Sequence, residues 1–370
     1  HVSDERTDAM NRDEFVARCE ILSGPLAQRA VEAEELRRLP EATLADAHAA
    51  DLMRVVVPRS LGGHGLGLDA LAHGTRAMAR GCPASAWTLS FLMLHGWLLS
   101  KLPGEARDEL FAGGVVPLAP APLAPTGTIE PTTGPEGAEG YRLSGRWEWA
   151  TGVSHADWVL VHAVQTEPRF STRFLVLPID EVEVEDVWFT SGMAATGSNT
   201  VTVTGRFVPV HRSVDARALM YGEGQGAVAA DEVDDDGLGN LAVPPVLALV
   251  ASAPALGAAE AAVDAYRKRL SERVLAYTLG DKAAEQPAAQ VRLAAAISDL
   301  VQCCGEEGLF SMAFHPKYKK NRLFYVYFTD NNGDQVLMEF KRAKKKKRKF
   351  VAVRSSGRQV LRIPHPVNGN

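Results

Sequence analysis

The chain of 370 residues predicts an α+β fold: a helical domain, then a small β domain, then a second set of helices, with a β-rich tail appended. Three observations predict that order. Apolar residues recur at three and four through residues 10–57 and on through 68–102, the spacing of one helix face. From about Val115 the pattern changes to short β-like runs divided by Gly and Pro. From Leu241 to about Leu279 a long alanine-rich helical stretch resumes. The bounds are 1–114, 115–221, an acidic loop 222–240, 241–300 and a basic segment 301–370.

Each element has its local reason. Leu36, Leu39, Thr43, Leu44 and Ala47 form the stripe of the first helical region, which leads into Val55-Val56-Val57-Pro58. Pro58 and the glycines at 62, 63, 65 and 67 make a loop. A helix then runs from Leu68 to Arg80 and is broken by Gly81-Cys82-Pro83. The next, Ala84 to Leu102, is apolar on nearly every face, which predicts burial, with Trp87, Phe91 and Trp97 as a buried wall. Strands are expected at Tyr141–Trp149, Trp158–Val164, Phe174–Leu177, Val182–Phe189 and Thr200–Val208. A last helix is expected from about Pro287 to Leu300.

Composition narrows the class. Hydrophobic residues make up 46% and charged residues 23%, ordinary globular values that exclude a disordered or collagen-like chain. The four cysteines are too few and too scattered for a disulfide framework, and no opening segment reads as a secretion signal. A cytoplasmic location follows, and the apolar runs fall short of a membrane span. The acids at 231, 232, 234, 235 and 236 read as a solvated loop, since their spacing fits no calcium loop. No metal site is expected.

The net charge of −5 hides a seam. The last 70 residues hold 15 basic and 5 acidic side chains, leaving 25 basic and 40 acidic in the first 300. Nine of the twelve lysines lie in those last 70 residues, whereas alanine falls from 50 to three. The change sits at Leu300–Gly305. A natural fusion, a gene-model artefact and a chimera all fit it.

Three segments carry candidate chemistry. The first is Val57-Pro58-Arg59-Ser60-Leu61-Gly62-Gly63-His64-Gly65-Leu66 with Ala84-Ser85-Ala86-Trp87. The second runs from Gly145-Arg146-Trp147-Glu148-Trp149-Ala150-Thr151-Gly152 to Trp158. The third is Gly192-Met193-Ala194-Ala195-Thr196-Gly197-Ser198-Asn199, followed by Phe207-Val208-Pro209. In a strand, residues 147, 149 and 151 point to one face, so two indoles and a hydroxyl share a surface beside a glycine. That suits a flat ring with apolar faces and a polar rim. It equally suits a β-domain core.

In combination, order and spacing, these segments resemble the acyl-CoA dehydrogenase superfamily, and most closely its flavin-dependent monooxygenase branch. The resemblance covers roughly residues 10–300. It implies a truncated form of that fold: an N-terminal helical domain, a middle β domain and part of a C-terminal bundle. It implies the oxygenase component of a two-component system, using reduced FMN or FAD and O2 on a small apolar or aromatic substrate. A separate flavin reductase would supply the cofactor, and the family assembles as a homotetramer. By the same resemblance Trp149 and Thr151 fall where the family contacts flavin, with Gly152 beside them. Thr126 and Gly127 fall in a flavin-contacting strand-loop. Trp87, in the first segment, is read with them as a flavin-binding residue, and Arg273 stands where an arginine reaches a neighbouring subunit's flavin phosphates.

Histidines are the candidates for proton handling. His95 reads either as a satisfied core residue or, by the resemblance, as a substrate-pocket acid–base. His155, four residues after Thr151, reads as a site-rim or an interior residue. His64 and His211 are read as surface loop residues. An acyl-CoA dehydrogenase-like oxidoreductase is the alternative, but Leu247-Ala248-Leu249-Val250 offers none of the carboxylate such chemistry needs. A flavin-free, inactive member is the other, because the bundle helices expected beyond residue 300 give way to another sequence.

That other sequence, Gly305–Tyr318, Asn321, Phe324–Thr329 and Val360–Pro366, resembles a blade of the hedgehog-interacting-protein and soluble sugar-dehydrogenase β-propellers. Alternation at Leu323–Phe328 and Val336–Phe340 supports strands. The basic run Lys341–Lys349 has no interleaved aromatics to stack on bases, so nucleic acid is not expected as a partner.

Overall fold

The structure is a computed structural model. It describes residues 10–222, 241–274, 283–286, isolated positions between 289 and 296, and 309–314, 318–329, 335–342 and 352–363. The acidic cluster 231–236, the seam at 300–305, Cys303, Cys304, most of the helix expected at 287–300 and most of the 341–349 basic run lie outside the described residues. The chain divides into two compact units, 1–261 and 262–370.

The first unit opens with α1 (Arg12–Gln28), α2 (Ala30–Leu36) and α3 (Glu41–Ala49). The Asn11 side chain caps α1 by accepting the Glu14 N–H at 3.0 Å. Leu36 departs from the expected stripe and is 45% exposed. It is the last residue of α2, and Arg37 turns the chain away with φ +53. α4 (Leu68–Ala79) and α5 (Pro83–Leu99) follow, with Pro83 at the first turn, where its missing N–H is harmless. α6 (Gly104–Leu110) ends the helical layer. His64 is buried rather than superficial, its Nε2 held 2.9 Å from Asp51.

The β domain is one seven-stranded sheet. Its strands are β1 (Gly127–Thr133), β2 (Glu139–Ala150), β3 (Trp158–Gln165), β4 (Ser171–Pro178), β5 (Glu183–Glu185), β6 (Asn199–Pro209) and β7 (Ser213–Asp215), in the order β5-β6-β2-β1-β3-β4-β7. β1 and β3 pair in parallel; the other neighbours are antiparallel. Alternation along β3 and β4 divides the core. Leu160, Phe174 and Val176 pack with the helical layer. Val159, Val161, Leu175 and Leu177 pack with Trp147, Val201 and Val203 on the other face.

The strand expected at Val182–Phe189 stops at Glu185. Beyond it the N–H groups of Val187 and Trp188 both go to the Asn199 side chain at 3.0 Å, not to a neighbouring strand. Arg37 fixes the same loop, pairing with Asp186 at 2.6 and 2.7 Å and lying over the Phe189 ring.

α7 (Ala216–Tyr221) and α8 (Val243–Glu272) follow the sheet. α8 ends at Glu272, short of the expected Leu279, and residues 275–282 lie outside the described set. By length and composition alone α8 could cross a membrane, which counting uninterrupted apolar runs misses. Its buried positions Val243, Val246, Val250 and Ala253 recur at three and four, the pattern of a helix laid on a core. Arg76 of α4 holds Glu260 of α8 through Nε at 2.7 Å.

The second unit carries a four-stranded antiparallel sheet of β8 (Leu309–Phe314), β9 (Leu323–Thr329), β10 (Gln335–Arg342) and β11 (Ala352–Ile363) in the order β11-β10-β9-β8. Four strands is also the size of a propeller blade. Residues 305–308, 315–317 and 364–366 of the blade-like motif lie outside the described residues.

Candidate functional site

α5 is buried along nearly its whole length, and Trp87 and Phe91 are exceptions. They stand one turn apart on the same face as His95. The Trp87 and Phe91 rings lie 4.8 Å apart at 41°, and His95 meets Phe91 edge-on at 5.7 Å. Trp97 does not share this wall. It is 1% exposed, with the Lys101 ammonium 4.7 Å over its ring.

The His95 Nδ1 lies 2.7 Å from the Ala119 carbonyl oxygen. A carbonyl only accepts, so Nδ1 carries the proton and Nε2 keeps a lone pair. Burial pushes the His95 pKa down to about 4, partly opposed by that hydrogen bond. His95 is therefore a neutral imidazole at pH 7 with a basic nitrogen directed away from its anchor. The proline-rich stretch that anchors it also works through carbonyls: Leu118 accepts from Asp157 and Trp158, Pro120 from Leu160, and the Leu123 oxygen lies 2.9 Å from His162 Nδ1.

The second segment differs from expectation at one point. Trp147 and Trp149 do not share a face. The β2–β6 register shifts between Trp147 and Ala150, and Trp149 has φ +64. This bulge turns Trp149 outward, 65% exposed, while Trp147 is fully buried and donates Nε1–H to the His162 carbonyl at 2.7 Å. Gly127 serves that buried indole: a Cβ there would lie 2.2 Å from Trp147 Cζ2. Its need for glycine is thus explained by core packing. Thr126 is exposed, and its hydroxyl donates to the Arg146 carbonyl at 2.7 Å.

Thr151 and Gly152 lie where β2 turns against α5. Gly152 has φ +74, and a Cβ on it would meet Thr88 Cγ2 at 3.1 Å. Its N–H donates to the Thr196 carbonyl at 2.9 Å. The hydroxyls of Thr151 and Ser198 are 2.9 Å apart; Ser198 donates to the Thr196 hydroxyl at 2.9 Å, and Thr196 to the Met193 carbonyl at 2.9 Å. The turn Ala194–Thr196 is itself held by Glu34 of α2, which accepts the N–H groups of Ala194 and Ala195 at 3.0 and 3.4 Å. Thr196 and Ser198 lie inside the third sequence segment, but nothing local in that segment singles them out from its other residues.

His155, on the turn Val153–His155, is half-buried with its pKa lowered, chiefly by burial. Its charged neighbours are Glu41 and Arg38, and its buried Nε2 has no hydrogen-bond partner. Arg273 is exposed just past α8, its N–H still bonded to the Arg269 carbonyl at 3.0 Å. It belongs to the second unit.

The structure therefore brings together Thr151, Gly152 and the Trp87–Phe91–His95 ladder on and against α5. A half-buried hydroxyl and an aromatic pair suit the rim and face of an isoalloxazine, while Gly152 is buried, the place of a Cβ taken by Thr88 and Leu92. Among the described residues no group of three His, Cys, Asp or Glu side chains comes together as a metal site. A cavity of about 600 Å³ lies elsewhere, lined by residues that include His73, Arg76, Arg80 and Glu260, none of them a sequence candidate.

Known proteins share the sequence and the fold of this chain. A family model described as the acyl-CoA dehydrogenase C-terminal domain matches residues 249–301. The oxygenase subunit HsaA of a flavin-dependent monooxygenase from Mycobacterium tuberculosis is 30% identical over 277 residues, 74% of this chain and 68% of that protein. The oxygenase component of an FADH2-dependent resorcinol hydroxylase from Rhizobium is 29% identical, over 73% of this chain and 66% of its own length. Among solved structures, XiaF from Streptomyces in complex with FADH2 and glycerol superposes with a TM-score of 0.70 at 26% identity, over 79% of this chain and 72% of that one.

Proposed function

The chain belongs to the flavin-dependent monooxygenase oxygenase subunits, and from that membership we propose the site that serves the reaction. Thr151, with Gly152 beside it, would meet the rim of a reduced flavin, FMN or FAD, and Trp149 would border its edge. Trp87 and Phe91 line the space for a small apolar or aromatic substrate. His95 presents Nε2 to that substrate and accepts its proton. His155, four residues after Thr151, is the second candidate for proton handling, at the rim of the site. By the family resemblance Thr126 and Gly127 belong to the strand-loop that would contact the flavin, and Arg273 would reach the phosphates of a flavin held by a neighbouring subunit.

The observation that carries this reading is the His95 tautomer. A neutral imidazole pinned through Nδ1 to Ala119 offers one fixed basic nitrogen beside two half-exposed aromatic rings. That arrangement suits taking a proton from a phenol-like group as oxygen enters the ring. Bound reduced flavin supplies the electrons that activate dioxygen. The surrounding apolar face of α5 keeps water away.

A flavin reductase supplies the cofactor, and the substrate is a small molecule. Resorcinol, named for one relative, favours a phenolic ring. We place the chain in the cytoplasm and its assembly, where the bundle is complete, as a homotetramer. The match to the family bundle ends at residue 301, which supports the compositional seam.

The test is anaerobic equilibrium binding of reduced FMN and FAD, followed by reductase-coupled oxidation of a panel of phenols under oxygen. Binding with oxygen-dependent product, both weakened in His95→Gln, is expected. No binding at about 100 μM, roughly −5.5 kcal/mol, would sink the proposed site in this chain.

A further inference from the structure

The hydroxyl chain behind Thr151 has one direction of donation in which all three of its contacts are hydrogen bonds. The Met193 carbonyl can only accept, so the Thr196 proton goes to it. Thr196 then has no proton for Ser198, and Ser198 must donate to Thr196. Ser198 has no second proton, so the proton between Thr151 and Ser198 comes from Thr151. Thr196 and Ser198 are 3% and 5% exposed, which keeps water from offering a competing partner. Thr151 is half-buried, and the free side of its oxygen carries only lone pairs.

We propose that Ser198 and Thr196 are positioning residues that make Thr151 a hydrogen-bond acceptor, and that the site thereby selects reduced over oxidised flavin. This rests on Thr151 meeting the flavin rim at N5. That nitrogen carries a hydrogen in the reduced ring and a lone pair in the oxidised ring. A Thr151 oxygen locked as acceptor pairs with the first and opposes the second. A two-component oxygenase needs this choice, because it must capture reduced flavin and let oxidised flavin go.

The backbone supports the same alignment. Gly152 N–H to Thr196 carbonyl ties the two turns together beside the hydroxyls, and Glu34 holds the Thr196 turn from α2. The hydroxyl direction is therefore built from three elements remote in sequence.

The experiment measures dissociation constants for oxidised and reduced FMN and FAD, anaerobically for the reduced forms, in the full chain and its variants. In Ser198→Ala the Thr151 proton is released to turn toward oxidised N5. Oxidised flavin should bind more tightly, and the preference for reduced flavin should fall about threefold to tenfold, the worth of one hydrogen bond. Thr196→Val frees the Ser198 proton and should reduce the preference likewise; it serves where Ser198→Ala does not fold. Ser198→Thr keeps the relay and should keep the wild-type ratio. Thr151→Val should weaken reduced flavin alone. Unchanged ratios in Ser198→Ala and Thr196→Val, with reduced flavin weakened in Thr151→Val, would overturn the relay and leave the site intact. No effect of Thr151→Val on either form would overturn the placement of flavin at Thr151, and absence of flavin binding in the wild type would overturn both.

Discussion

Gly152 and Thr196 are joined by a 2.9 Å hydrogen bond between the amide of one and the carbonyl of the other, and the β domain closes against α5 at that joint. Gly152 sits there at φ +74, with the Thr88 and Leu92 side chains close to where a Cβ would stand. Gly152→Ala forces a side chain into a left-handed backbone and against Thr88. A loss of about 1–2 kcal/mol in urea unfolding is expected. Flavin binding should weaken in the same variant.

His95 sets a pH dependence of known sign. Its folded pKa of about 4 is below the ordinary value of 6.5, so the unfolded chain binds its proton first. The stabilisation is full above pH 6.5 and is lost as pH falls from 6.5 to about 4. It amounts to about 3 kcal/mol across the window. Unfolding free energies measured between pH 4.5 and 7 should show this slope, and His95→Gln should flatten it. An equal slope in His95→Gln would assign the effect to other groups, such as His155 and His162, whose pKa values are also lowered by burial.

Gly127 and Trp149 should separate stability from binding. Gly127→Ala drives a methyl group into the Trp147 ring and should cost about 1–3 kcal/mol. Trp149→Ala removes an exposed indole and should change stability by less than about 0.5 kcal/mol. If Trp149 borders the flavin, the same change weakens flavin binding by about tenfold, one or so kcal/mol of lost contact. Equal affinities for wild type and Trp149→Ala would remove it from the site.

Glu34 reaches the site from a different domain. Glu34→Ala leaves the amides of Ala194 and Ala195 without their acceptor and should cost about 1–3 kcal/mol. Glu34→Gln, which keeps an acceptor oxygen, should recover most of the loss. Chemical denaturation of the two variants side by side measures the difference.

Much of this was legible in the chain because it is governed by neighbours in sequence. The break at Gly81-Cys82-Pro83 separates α4 from α5, and the apolar surround of α5 announces its burial. Strand alternation located β2, β3, β6, β9 and β10 within a few residues. What failed depends on partners far away. Trp149 alternates correctly with Trp147 on paper, but the bulge against β6 reverses it. Trp97 looks like Trp87 in sequence, yet the helix carries it to the buried side. Ser198 meets Thr151 across 47 residues, and no local signal marks that pair. His95 was recognisable as unusual, but its tautomer depended on the Ala119 carbonyl.

The bulge that turns Trp149 into solvent also gives the protein an optical reporter. An indole in water emits further to the red than one in a dry core. Trp149 is 65% exposed, whereas Trp97 and Trp147 are sealed. The reddest part of the intrinsic emission therefore draws most on Trp149, while the half-buried Trp87, Trp158 and Trp188 emit between it and the sealed pair. Flavin arriving at β2 would quench that edge first, and the blue emission of the two sealed indoles would stand as an internal standard within the same spectrum.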